Sequence, residues 1–223
     1  MNQHTETQYI VGLDLGQAKD PTAISILEKV IPFREEVVQV TPVRADFHQV
    51  PEPAVYHCTH LDRFALRTSY PKIVDQVAHV MRDPRLRDAK LIVDATGVGR
   101  PVVDMIRDAG LSPIGVIITG GDSESSGEGL SRVPKRNLVS IIQILLQERR
   151  LVIADGLSHA ATLVNELLNF QVKINDKAHD SYGAWRESVH DDLVLATALA
   201  AWWGERNGGI TVDSSAWDLL TSL

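Results

Sequence analysis

Four aspartates stand where the apolar pattern of the chain predicts a strand end or a helix start: Asp14, Asp94, Asp191 and Asp192. Asp14 interrupts Tyr9-Ile-Val-Gly-Leu-Asp-Leu-Gly16, a run suited to a strand buried on both faces of a sheet. A buried carboxylate is costly unless something compensates its charge. Asp94 ends a second such run, Lys90-Leu-Ile-Val-Asp94, while Asp191 and Asp192 open a long, nearly all-apolar helical stretch. Singly, each has an ordinary reading: a turn acid for Asp14, a βα-turn acid for Asp94, a helix cap for Asp191 or Asp192. Jointly they point to one rim, because ligands of α/β sheets collect at the carboxyl ends of parallel strands. Carboxylates meeting there raise one another's pKa unless cations neutralise them. Hard divalent ions with oxygen ligands, Mg²⁺ or Mn²⁺, suit such a set. Two of them about 3.5–4 Å apart can activate a water and stabilise the leaving oxygen of a phosphodiester.

Those acids need an α/β scaffold, and the patterning supplies one. The runs at 9–16, 22–27 and 36–40 read as an antiparallel meander of three strands, with a further short strand at 55–59. Ser69 and Pro71 open a helix that stops near Asp83-Pro84. A strand at 90–94, a helix from Pro101 to Gly110 and a strand at 114–118 form a parallel right-handed crossover. The glycine- and serine-rich stretch 119–131 reads as a mobile surface loop. Pro134 begins a long amphipathic helix; a strand at 151–153, a helix at 158–170, a strand at 171–174 and a polar turn at 175–182 follow. The helix at 189–203 is apolar almost all round past Asp192 and should be buried. The expected division is a flexible N-terminus (1–8), one α/β domain (9–206) and a C-terminal tail (207–223).

Composition narrows the classes. Hydrophobic content of 44% is ordinary for a globular protein, and no apolar run reaches the roughly 18 residues of a membrane span. Cys58 is the sole cysteine, which excludes an internal disulfide and a cysteine-rich zinc site and fits a cytoplasmic location. The polar N-terminus has no secretory pattern. A net charge of −7 argues against a sequence-indifferent DNA coat but leaves room for a local basic strip.

Four segments carry a family resemblance: Gly12-Leu-Asp-Leu-Gly16 with Asp20-Pro-Thr-Ala23 behind it, Val93-Asp-Ala-Thr-Gly-Val-Gly99, Val133-Pro-Lys-Arg-Asn-Leu138, and His190-Asp-Asp-Leu-Val-Leu-Ala-Thr-Ala-Leu199. In order and spacing they resemble the nuclease domain of the large terminase subunit of tailed bacteriophages. The likeness runs from about Tyr9 to Trp203. It implies a ribonuclease H-like fold with a central mixed sheet flanked by helices. It also implies that Asp14, Asp94 and one or both of Asp191 and Asp192 hold two Mg²⁺ or Mn²⁺ ions and cut double-stranded DNA. Asp20 matches a position where some members carry an additional acid near the metals. His190 reads either as a further ligand or proton shuttle, or as a capping histidine. Terminase large subunits carry an ATPase ahead of this domain, and no Gly-x-x-x-x-Gly-Lys-Ser/Thr occurs here. The expected partners are therefore DNA and a separate packaging ATPase or other terminase components. An excised domain, a separately encoded nuclease and a prophage remnant all fit.

Arg132, Lys135 and Arg136 gather at the start of the helix after Pro134, a reasonable phosphate site or an ordinary solvated helix start. Lys173 and Lys177 are candidates for a groove near the last helix. Two other readings stay open. Gly-Leu-Asp-Leu-Gly also resembles the first phosphate loop of sugar-kinase and actin-like ATPases, which would make this a nucleotide-binding domain. A non-catalytic phage-derived DNA-binding domain is the other.

Overall fold

The computed structural model describes residues 4–16, 20–41, 44–97, 99–121, 123–127, 130–176 and 191–206. The chain enters on β1 (Thr5–Asp14), turns, and runs back along β2 (Ala23–Thr41), pairing Thr5 with Pro32 and Asp14 with Ala23. β3 (Arg44–Pro51) and β4 (Val55–Arg63) both pair antiparallel with β2. The meander is therefore built differently from the expectation. Residues 36–40 are no third strand but the outer half of the 19-residue β2, which pairs there with β3. Arg34, Glu35 and Glu36 are the exposed part of a hairpin arm.

α1 (Tyr70–Val80) and a single 3₁₀ turn at Pro84–Leu86 lead to β5 (Lys90–Asp94), then α2 (Gly99–Asp108) and β6 (Pro113–Thr119). β5 lies parallel to both β1 and β6, as the strand–helix–strand spacing requires. The supposed loop at 119–131 contains a strand, β7 (Ser125–Gly127), and leads into β8 (Leu130–Pro134). β8 runs parallel to β6 and antiparallel to β7. Glycine and serine hid strands that have little side chain to bury. The segment is also tied down: Glu124 accepts bonds from Asn137 Nδ2 at 3.0 Å and Trp202 Nε1 at 3.1 Å, and pairs with Arg206. α3 (Lys135–Gln147), β9 (Leu151–Ile153), α4 (Ala160–Asp176) and α5 (Asp192–Arg206) complete the described chain. The strand expected at 171–174 is the last part of α4. Four residues are too few for a two-residue alternation to outweigh the helix running into them. Residues 177–190 and 207–223, with Lys177, His190, the expected helix start at 189 and the C-terminal tail, lie outside the described residues.

The sheet order is β7-β8-β6-β5-β1-β2-β4-β9, with β3 beside β2. Successive strand residues face opposite sides. On β1, Val11, Leu13 and Leu15 join one core with Ile73, Val74 and Val77 of α1 and Val102, Val103 and Ile106 of α2. Ile10 belongs to the other core, with Leu138 and Ile142 of α3, Leu163 of α4 and much of α5. Gly12 and Asp14 share the side of Ile10, so Asp14 faces α5. On β5, Ile92 lies in the α5 core while Leu91 and Val93 lie in the other, which gives Asp94 the same side.

α5 is the element that closes the site. It is buried nearly all round, from Leu193 through Trp202, because it crosses the middle of the sheet under α3 and α4. Gly12 permits that approach: a Cβ there would stand 1.9 Å from the Ala196 carbonyl oxygen. The far end of α5 is held by cations, which complement the negative end of a helix. Lys29, 1% exposed, donates to the Gly204 carbonyl at 2.6 Å. Arg150 grips both oxygens of Glu205, at 3.0 and 2.8 Å, and Tyr56 donates to the same carboxylate at 2.8 Å.

Candidate active site

The register of β1 against β5 brings Asp14 and Asp94 together. Leu13 is paired with Val93, so the next residues, Asp14 and Asp94, follow on neighbouring parallel strands and face the same side. Adjacent strands are about 4.8 Å apart, within reach for short side chains. The two carboxyl groups are neighbours, each raising the cost of charging the other. Asp14 is only 8% exposed. Burial first, and then the charges of Asp94, Asp191 and Asp192, push its pKa well above the ordinary carboxylate range. The four acids singled out by their sequence positions therefore act on one another across a single rim.

Each of the other acids already has a specific partner. Asp94 Oδ1 accepts from the Thr96 amide at 2.8 Å and from the Thr96 hydroxyl at 2.5 Å, while the Ile118 amide donates to that hydroxyl at 2.9 Å. The βα turn after β5 is thus shaped around the acid, and the turn reading and the site reading hold together. Asp191 precedes the first turn of α5, its carbonyl taking the Leu195 amide at 2.9 Å, and its side chain receives Lys135 Nζ at 2.7 Å. Asp192, 2% exposed, receives Arg63 in two bonds: Nε to Oδ2 at 2.6 Å and Nη2 to Oδ1 at 2.9 Å. The same Nη2 also bonds Glu166 Oε1, and Glu166 Oε2 accepts from the Val194 amide in the first turn of α5, at 3.2 Å.

Arg63 and Glu166 escaped the reading of the sequence. Glu166 had a signal: it falls between Leu163 and Leu167 on the stripe of α4 that enters the core. It is 6% exposed, and burial, then the charge of Asp192, raises its pKa to about 7. Arg63 ends a strand whose alternation is broken by a bulge opposite Ile26 and Leu27, so its facing was not legible.

Asp20 is exposed and stands in the wall of a cleft of about 190 Å³ with Gly16, Thr22, Arg67, Thr68 and Ser69. Of the three basic candidates, Lys135 is on Asp191, Arg136 is partly buried in the first turn of α3, and Arg132 is exposed on β8. Among the described residues, no three His, Cys, Asp or Glu side chains are disposed to hold one ion as they stand. Arg63 and Lys135 hold two of the acids instead. The donors are nevertheless all carboxylate oxygens at one rim, a set that fits a hard divalent cation.

No protein-family profile matches the sequence, and no curated protein matches it. Two solved structures share its fold. The large terminase nuclease of the thermophilic phage G20c superposes with a TM-score of 0.50 at 15% identity, over 87% of this chain and 81% of that one. The human cytomegalovirus terminase nuclease domain gives 0.50 at 13% identity, over 89% of this chain and 84% of that one. The mixed sheet flanked by helices is the ribonuclease H-like fold of terminase nucleases. The fold expected from the four sequence motifs is thus the fold found. Among the described residues, no helix is long and apolar enough to cross a membrane.

Proposed function

We propose that this chain is a metal-dependent DNA endonuclease of the terminase type, acting in phage or prophage DNA processing. The observation that carries the reading is the meeting of Asp14 and Asp94 on adjacent parallel strands beneath the acidic start of α5. Asp14, Asp94, Asp191 and Asp192 would hold two Mg²⁺ or Mn²⁺ ions, with Asp20 and His190 as further candidates. When bound, such ions lower the pKa of water and stabilise the charge on a leaving oxygen.

The protein's own groups prepare the site. Burial and the charges of the neighbouring acids keep the Asp14 pKa raised until a cation compensates them. The first turns of α3 and α5 both open towards the acids, since Lys135 and Asp191 meet there, and helix N-termini favour an approaching phosphate. Arg132, exposed on β8, and Arg136 extend a basic strip from that point and would contact the DNA backbone. A separate ATPase would supply packaging work.

Incubating the protein with supercoiled plasmid and Mn²⁺ tests the reading, with a chelator as control. Nicking or linearisation that the chelator abolishes is the expected result. An intact plasmid over a full range of Mn²⁺ and Mg²⁺ concentrations would overturn it.

A further inference from the structure

Arg63 bridges two carboxylates that both lie almost wholly out of solvent, Asp192 on α5 and Glu166 on α4. An ordinary structural ion pair needs only one of them. A buried carboxylate is retained when it stays paired and hydrogen-bonded, and Glu166 has both a guanidinium and the Val194 amide. Asp192 is in a different position. It is held through both its oxygens by one guanidinium, in the two-pronged geometry that Arg makes with a carboxylate. Those are the oxygens a metal ion would need. Arg63 cannot retain Asp192 in this way while Asp192 serves a cation, and a guanidinium left without an acceptor in this setting would be costly. Glu166 removes that difficulty, because it already accepts from the same Nη2.

We propose that Arg63 takes the place of a cation at Asp192 in the metal-free site and passes to Glu166 when Asp192 turns to a divalent ion. Arg63 and Glu166 are then positioning residues that set how tightly the centre binds metal. Arg63 competes with the ion, and Glu166 relieves the competition by drawing the guanidinium away. The inference rests on the metal-centre reading given above.

Mn²⁺ binding to the full chain, measured by titration calorimetry and by loss of the free Mn²⁺ paramagnetic resonance signal, tests it without reference to cleavage. Arg63→Gln should tighten Mn²⁺ binding by about tenfold, and Glu166→Gln should weaken it by about tenfold. The glutamine at 166 keeps an oxygen for the Val194 amide, so it isolates the charge. In the double variant, Glu166→Gln should have no further effect, because there is no guanidinium left to draw away. If Arg63→Gln fails to fold, Glu166→Gln compared with Glu166→Asp, which retains the charge, decides the matter. Thermal stability lowered in both variants with unchanged Mn²⁺ affinity would show a merely structural cluster and overturn the proposal. A wild-type chain that binds no Mn²⁺ at millimolar concentration would instead remove the metal centre itself, and this inference with it.

Discussion

Replacing Asp14 by Asn is the most direct test of the electrostatics of the rim. Asn is isosteric with Asp, and its amide can donate a hydrogen bond to the neighbouring Asp94 carboxylate. The variant keeps the contact and removes one charge. Two unit charges about 4 Å apart repel by about 4 kcal/mol at an effective dielectric of 20, which is an upper limit because water and the nearby cations screen part of it. A gain of about 1–3 kcal/mol in the metal-free protein is therefore expected. For a chain of this size that is a rise in Tm of roughly 2–12 °C. The wild type should gain stability on adding Mn²⁺, by mass action on the folded state, and the variant should lose most of that gain together with cleavage. Scanning calorimetry or dye-monitored melting, in chelator and in Mn²⁺, reads both effects. An Asp14→Asn protein that melts lower than wild type in chelator, yet gains as much from Mn²⁺, would refute the reasoning. Asp14 would then be an ordinary turn residue.

Three further outcomes follow from the same geometry. The Glu166 carboxyl, raised from 4.5 to about 7, binds its proton more tightly folded than unfolded. Its contribution to stability therefore falls as pH rises from 4.5 to about 7 and is flat above, with a slope of at most about 1.4 kcal/mol per pH unit; melting curves in chelator should show this slope reduced in Glu166→Gln, and an identical slope would contradict it. Gly12→Ala should cost about 3 kcal/mol or prevent folding, since the added carbon meets the Ala196 carbonyl, and a variant with wild-type melting would show that α5 does not sit against β1. Arg132→Glu should weaken DNA binding and flatten its dependence on salt concentration by about one ion, measured by fluorescence anisotropy between low and moderate salt; an unchanged salt slope would remove β8 from the DNA path.

The meeting of Asp14 and Asp94 was legible where a charged residue broke an apolar pattern. Asp14 and Asp94 each stand at the end of a strand, and strand periodicity alone gives both the same facing as Ile10 and Ile92. What the pattern could not give was how far a strand continues once it leaves the sheet. β2 passes from a buried half to an exposed arm carrying Arg34, Glu35 and Glu36, and polarity there resembles a loop. β7 and β8 were concealed for a related reason. Their stability comes from backbone pairing and from Glu124, which ties them to Asn137 and Trp202, and such contacts leave no local trace in composition. Arg63 and Glu166 were missed because their meaning is pairwise. Either alone is an ordinary surface type, and only the packing of α4 against the start of α5 makes them partners.

The same packing explains why the acids can sit so close together. α5 carries Asp192 and follows directly on Asp191, so any slide of the helix along the sheet would move both away from Asp14. Both ends resist such a slide. Lys29 and the Arg150–Glu205–Tyr56 group hold the carboxyl end, and Arg63 with Glu166 holds the amino end. In between, Gly12 brings the backbone of the helix onto the strand, and Thr197 donates to Ser25 Oγ of β2 at 3.0 Å. Repulsion among four carboxylates would drive an unclamped helix outward. With both ends fixed, that repulsion has no mechanical outlet. It is relieved instead by two borrowed cations, Lys135 on Asp191 and Arg63 on Asp192. A rim held under such charge favours any divalent ion that can replace both.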